Sequence, residues 1–169
     1  MEVGTWKGAT LISACHGASL DKATVIDNWS TFGGPREQFY DNVKEFETGL
    51  PTLNIIDEDC WKVDPTSIKP KVDIFFYDGH HSEDGQKKAI THFWDALSKP
   101  AIIVVDDWDD PNYDVPKGTR EGLAEVGADI VLEFERHADH QADADGWWNG
   151  VFVCVAKKGV SSREEDKFE

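Results

Sequence analysis

A chain of 169 residues that is 40% hydrophobic and carries 7 Trp and 9 Phe can bury one substantial core, so a single domain is expected. Its 33 acidic residues outnumber 17 basic ones, and the formal net charge of −16 repels phosphate backbones and anionic lipid headgroups. Neither nucleic acid nor a membrane is expected as a partner. Cys15, Cys60 and Cys154 lie far apart and form no C-x-x-C pair, no apolar run approaches the roughly 18 residues of a membrane span, and the first residues lack a secretory pattern. Reduced thiols in a cytoplasmic protein follow as the expectation.

Taken in chain order, the elements alternate. The opening "EVGTWKG" is a glycine-punctuated loop, and the small and apolar residues from Gly8 to His16 predict a helix behind it. "ATVID" (Ala23 to Asp27) reads as a short buried strand. In "GGPREQFYDNVKEF", Pro35 marks a helix start and Phe39, Val43 and Phe46 stand at i, i+4, i+7, an amphipathic helix facing a sheet. "TLNIID" is a strand, as is "KVDIFFYD" (Lys71 to Asp78); "KKAITHFWDAL" then sets Ile90, Phe93, Trp94 and Leu97 at helical spacing. "AIIVVDD" (Ala101 to Asp107) is another strand. Continuous apolar strands of this kind predict burial on both faces, in a mostly parallel sheet with helices on each side.

The character changes afterwards. "GTREGLAEVG" predicts a helix ended by Gly127, while "DIVLEFER" and "GVFVCVAKK" predict two strands with no helix between them, hence an antiparallel C-terminal hairpin. The connecting "HADHQADAD" has the residue types of a second metal site but reads better as a polar hairpin loop, and Trp147 and Trp148 suit either a substrate mouth or a core cap. Residues 1–158 form the predicted α/β domain and residues 159–169 a polar tail.

Open α/β sheets bind ligands beyond the carboxyl ends of their strands. Here those ends are acidic: Glu2, Asp27, Asp57 to Asp59, Asp78, and Asp106 with Asp107. Gly4 and Gly8, with Thr5, let a backbone turn approach a ligand closely and aim helix N–H groups at it. Asp27 stands 25 positions beyond Glu2, near the spacing of roughly 20 at which an acid meets a ribose diol in nucleotide-binding folds. Alone, Asp27 reads equally as a turn or cap residue; with the loop, it points to a nucleoside-like ligand.

"EVGTWKGATL", "VIDNW", "DEDCW", "DIFFYDGHHSEDGQKKAI" and "IIVVDDW", in this order, resemble the successive motifs of class I S-adenosylmethionine-dependent methyltransferases, and among them the macrocin-type and catechol-type metal-dependent O-methyltransferases. The resemblance implies a Rossmann-like, mostly parallel seven-stranded sheet. It also implies that Gly4, Thr5 and Gly8, with Glu2 and Trp6 in the same loop, bracket the methionine end of the cofactor. Asp27, beside Asn28, would bind its ribose, and Asp59 with Cys60 would border its adenine. Asp78, Asp106 and Asp107 match the family's ligands for a divalent cation, usually Mg²⁺. Asp78-Gly79-His80-His81 matches its Asp-x-x-His motif, which makes Asp78 and His81 the catalytic candidates and His81 the general base for a small-molecule hydroxyl acceptor such as a sugar.

Three carboxylates converging at adjacent strand ends repel one another unless protonated or neutralised, and a hard cation preferring oxygen ligands suits them; turn or cap roles are the plainer alternative. The departure from the family lies at the start. Met1 falls at the end of the first strand, so that strand is expected to be truncated and to lack the usual preceding helices, unless a second subunit covers the edge. A catalytically silent nucleoside-binding domain is the competing expectation.

Overall fold

The computed structural model describes residues 1–138 and 148–159. They form a seven-stranded sheet in the order β3-β2-β1-β4-β5-β7-β6. The strands are β1 (Glu2–Val3), β2 (Lys22–Asp27), β3 (Thr52–Asp57), β4 (Val72–Tyr77), β5 (Leu97–Asp106), β6 (Ala128–Arg136) and β7 (Val151–Lys158). β1 to β5 pair in parallel, whereas β7 is inserted between β5 and β6, antiparallel to both. This is the Rossmann-like sheet with a C-terminal hairpin that the sequence predicts. β1 is short, but Met1 extends its pairing: the Phe76 amide donates to the Met1 carbonyl at 2.8 Å.

Strand order reverses between β1 and β4, the switch point beyond whose strand ends open α/β sheets place their ligand crevice. Gly4 stands there at φ 84°, and a Cβ on it would lie 2.0 Å from the Asp78 carbonyl oxygen. Only glycine lets the two strand ends approach this closely.

Among the described residues, four helices flank the sheet: α1 (Ala9–Cys15), α2 (Arg36–Glu45), α3 (Glu83–Phe93) and α4 (Val115–Glu125). α3 starts four residues before the predicted "KKAITHF" run because the Ser82 hydroxyl caps it, accepting from the Gly85 amide at 3.1 Å. α4 begins ahead of "GTREG" for the same reason, with the Asp114 carboxylate accepting from the Lys117 amide at 3.0 Å and Pro116 in its first turn. Leu97 is not the end of a helix. α3 stops at Phe93, a 3₁₀ turn follows over Trp94–Ala96, and Leu97 opens β5 by pairing with Val72.

One face of the sheet packs against α3 and α4, where Phe75, Phe93, Ile103 and Phe152 are fully enclosed. Each such side chain contributes roughly 1.5–3 kcal/mol by leaving water. α4 lies close on α3 through two glycines: a Cβ at Gly118 would meet the Glu83 carbonyl oxygen at 2.2 Å, and one at Gly122 the Lys87 carbonyl oxygen at 2.8 Å. On the opposite face α1 and α2 bury Leu11, Val25, Trp29 and Phe39 over β2 and β3.

Burial on both faces, as expected from the continuous apolar strands, does not extend across the sheet. On the α1/α2 side, Ile74 and Ile102 remain 46% and 37% exposed, and Leu132 and Phe134 remain 67% and 58% exposed. They form adjoining rows with Val155 and Val153 in the strand register. The reason is geometric: the two helices on that side cover β2 and β3 rather than β4 to β6.

Candidate functional site

The loop after β1 closes on Asp27. Its Oδ2 accepts from the Thr5 and Trp6 amides at 3.0 and 2.9 Å, and its Oδ1 accepts from the Trp29 amide at 2.7 Å. One carboxylate at the end of β2 therefore shapes both the glycine loop and the turn that follows β2. Trp29 Nε1 adds a bond to the Trp6 carbonyl at 2.7 Å. Gly8, at φ 82°, turns the chain into α1, where a Cβ would press on the Phe39 ring at 3.0 Å. Glu2 is buried under the loop and accepts from the Thr5 hydroxyl at 3.1 Å; burial pushes its carboxyl up to about 7.

The other predicted cofactor residues line the same edge in local roles. Asn28 Oδ1 accepts from the Ser30 amide, and Asp59 Oδ1 accepts from the Trp61 amide at 3.1 Å. The Cys60 thiol is half-buried, and burial pushes it up to about 11, so it presents a neutral sulfur. Asp57 is held by Arg36 at 2.7 Å.

A second centre lies across the crevice, where β4 and β5 end. His81 Nε2 stands 3.1 Å from Asp107 Oδ2 and 3.6 Å from Asp78 Oδ1, and His81 Nδ1 stands 2.9 Å from Asp110 Oδ2. The Asp78 carboxylate foremost, then Asp110 and Asp107, hold the imidazole up at about 9 against the opposing effect of burial. Burial raises the Asp78 carboxyl as well. Asp106 is pushed up to about 7 by burial and then by the charges of Asp78 and Asp107.

His80 has a different task. Its Nδ1 accepts from the Ser82 amide at 3.1 Å and its amide donates to the Tyr77 hydroxyl at 3.0 Å, so it builds the turn ahead of α3.

Asp78, His81 and Asp107 each offer one ligand atom within 4.8 Å of one another. Two of the three carboxylates expected to share a cation are thus brought together with His81; Asp106 adjoins this group without being part of it. The two carboxylates fit a divalent metal ion, with the imidazole beside them able either to join as a third ligand or to stay free as a base.

Two residues of this centre escape sequence reasoning. Asp110 sits in the loop between β5 and α4 and faces His81, a pairing across 29 positions. Asn149, at the foot of β7, donates from Nδ2 to Asp107 Oδ1 at 2.9 Å, and its carbonyl accepts from the Asp109 amide at 2.7 Å. The run "DDWDDPNYD" signals a polar loop, but nothing in it selects Asp110; no local signal marks Asn149. His137 joins Asp109 at 2.8 Å and Glu135 at 3.1 Å. The second metal site considered in "HADHQADAD" falls largely on residues 139–145, outside the described residues, as does Trp147. Trp148 is 60% exposed and does not cap the core. No helix among the described residues is long and apolar enough to cross a membrane.

Comparison with known proteins agrees with this architecture. Among curated proteins, no sequence match is found. Rv0187 from MTB, solved in a cofactor-bound form, superposes with a TM-score of 0.63 at 16% identity, over 94% of this chain and 72% of its own. TomG from Streptomyces achromogenes, an O-methyltransferase involved in tomaymycin synthesis and solved with SAM, gives 0.61 at 16% identity over the same shares, 94% and 72%. The N-methyltransferase NodS from Bradyrhizobium japonicum WM9 gives 0.61 at 13% identity over 94% and 84%. At these identities the likeness establishes the fold, and the fold is shared by enzymes that methylate different atoms. A family model described as a methyltransferase domain matches residues 1–108, from the glycine loop through Asp27 and His81 to Asp107. The chain therefore belongs to the methyltransferase-domain family and has the class I S-adenosylmethionine-dependent methyltransferase fold.

Proposed function

We propose that the chain binds S-adenosylmethionine along the carboxyl edge of the sheet and transfers its methyl group to a hydroxyl of a small, hydroxylated acceptor. The observation that carries this reading is the placement of two centres on one crevice. The glycine loop closed by Asp27 lies on one side, and Asp78, His81 and Asp107 converge on the other. Such an arrangement can hold a cofactor and an acceptor within reach of each other.

In this reading Gly4, Thr5 and Gly8 face the methionine end, the remaining acceptor capacity of Asp27 takes a ribose hydroxyl, and Asp59 and Cys60 border the adenine. His81 is the proton acceptor. Its Nδ1 is anchored on Asp110, which leaves Nε2, beside Asp107 and Asp78, as the nitrogen that would take the proton. Below about pH 9 the three carboxylates hold it as imidazolium, a form that cannot accept a proton. A divalent cation such as Mg²⁺, held by Asp78 and Asp107, would offset their charge and acidify an acceptor hydroxyl. With those carboxylates so engaged, only Asp110 would still hold His81 up, and the imidazole would be freer to act as a base.

A silent nucleoside-binding domain is the second reading. What favours it is that Asp27 already receives three backbone amides. Thermal melting separates the two. S-adenosylhomocysteine at 100 times its Kd should stabilise the protein by about 2.7 kcal/mol, and Mg²⁺ should add to the rise. Radiolabelled methyl transfer to a vicinal diol such as catechol should then be abolished by a chelator. Binding without transfer to any hydroxylated acceptor would select the silent domain, and no binding would overturn both.

A further inference from the structure

We propose that Asn149 is a positioning residue that aims the Asp107 carboxylate at His81. The inference extends the methyl-transfer reading to a residue on the far hairpin. Asp107 and Asn149 both occupy the left-handed region, at φ 52° and 56°, which side chains other than glycine adopt rarely and Asp and Asn most readily. Each grips the other's segment. Asn149 Nδ2 donates to Asp107 Oδ1 at 2.9 Å, and the Asn149 carbonyl accepts from the Asp109 amide at 2.7 Å.

The foot of β7 is closely packed. At Gly150, φ 72°, a Cβ would lie 2.4 Å from the Arg136 carbonyl oxygen and 2.7 Å from Asp109 Oδ2. Asn149 is only 8% exposed. Its amide is therefore a fixed donor, delivered by the β6–β7 hairpin to the loop after β5.

The consequence lies in how a carboxylate rotates. The last torsion of an aspartate is broad and roughly two-fold, so the side chain does not choose its own plane. With Oδ1 held by Asn149, Oδ2 is left 3.1 Å from His81 Nε2. A donor that fixes the carboxylate in this way sets the direction in which Asp107 meets the imidazole, and an outer partner of this kind is typically worth about 10- to 100-fold in activity or affinity.

The test compares Asn149→Gly with the unsubstituted protein. Glycine accepts φ 56° and keeps the carbonyl that binds the Asp109 amide, so the substitution removes the side-chain amide alone. A crystal structure should show the Asp107 carboxylate rotated and its nearest oxygen beyond about 3.5 Å from His81 Nε2. Methyl transfer from S-adenosylmethionine to catechol should fall about tenfold or more in kcat, with S-adenosylhomocysteine affinity unchanged. A carboxylate that stays in place overturns the proposal, and so does an equal loss of cofactor affinity, which marks a merely structural role. If the unsubstituted protein transfers no methyl group, the methyl-transfer reading has failed, while the interatomic distance still decides the positioning role. Should the glycine variant not fold, Asn149→Asp keeps the backbone conformation and replaces the donor by an acceptor. It should lower kcat at least as much, and full activity in that variant overturns the proposal.

Discussion

At the end of β2 one carboxylate meets three backbone amides; at the ends of β4 and β5, three carboxylates meet one imidazole. Backbone amides are permanent donors, so Asp27 is committed to the shape of its loop. An imidazole can lose its proton, so the arrangement around His81 can be exchanged for another. The two regions show how the same residue type can shape backbone on one side of the switch point and hold a titratable ring on the other. What separates them is the partner, not the aspartate.

The comparison breaks most sharply at His81. His81→Ala should lower turnover by about 10²- to 10⁴-fold while S-adenosylhomocysteine affinity, measured by calorimetry, stays the same. A parallel loss of cofactor affinity would merge the two regions into one.

Glu2 lies between them, and its effect is read in stability. Its folded carboxyl stands at about 7 against an ordinary 4.5, so the folded state binds more protons than the unfolded state between these values. Stability should accordingly fall as pH rises from about 4.5 to 7, by on the order of 3 kcal/mol from this group alone. Glu2→Gln should remove that slope and raise stability at pH 8, as followed by urea denaturation.

Asp27→Ala takes the partner away from the Thr5, Trp6 and Trp29 amides, which water can reach in part. We expect a loss of about 2 kcal/mol in urea denaturation, together with weaker cofactor binding. Stability unchanged by this substitution would show that the loop is shaped by its glycines and not by the acid.

His80→Ala gives the smallest effect. It removes one turn bond, from the Ser82 amide, and should cost about 1 kcal/mol or less with turnover within twofold of the parent. A larger loss of turnover than in His81→Ala would transfer the base to His80.

Much of this was legible before any coordinates. Apolar runs ending in Asp27, Asp78 and Asp106 revealed the strands and the edge at which chemistry could occur, because a buried parallel strand must be apolar until it reaches solvent. The hairpin of β6 and β7 was equally plain from two strands with no helix between them. Helix starts were less so, since Ser82 and Asp114 act through single capping bonds that periodicity does not register. The use of Asp27 by amides 21 and 22 positions away is a product of the β1–β2 register. Asp110 and Asn149 were beyond reach for a related reason. Their partners lie 29 and 42 positions away, and only the insertion of β7 beside β5 brings Asn149 to Asp107. The uncovered rows around Ile102 and Phe134 mark another limit, since apolar character in a strand does not say which helix will cover it.

The glycine contacts of α4 on α3 have a mechanical consequence. α3 begins directly after His81 and Ser82, and α4 directly after the loop that carries Asp107 and Asp110. Gly118 brings the first turn of α4 onto the Glu83 carbonyl, and Lys117 reaches the Glu83 carboxylate at 2.8 Å. The two loops that face each other across the imidazole therefore share one support at their downstream ends, the closely packed pair of α3 and α4, so a substitution that pushes these helices apart reaches His81 and Asp107 together.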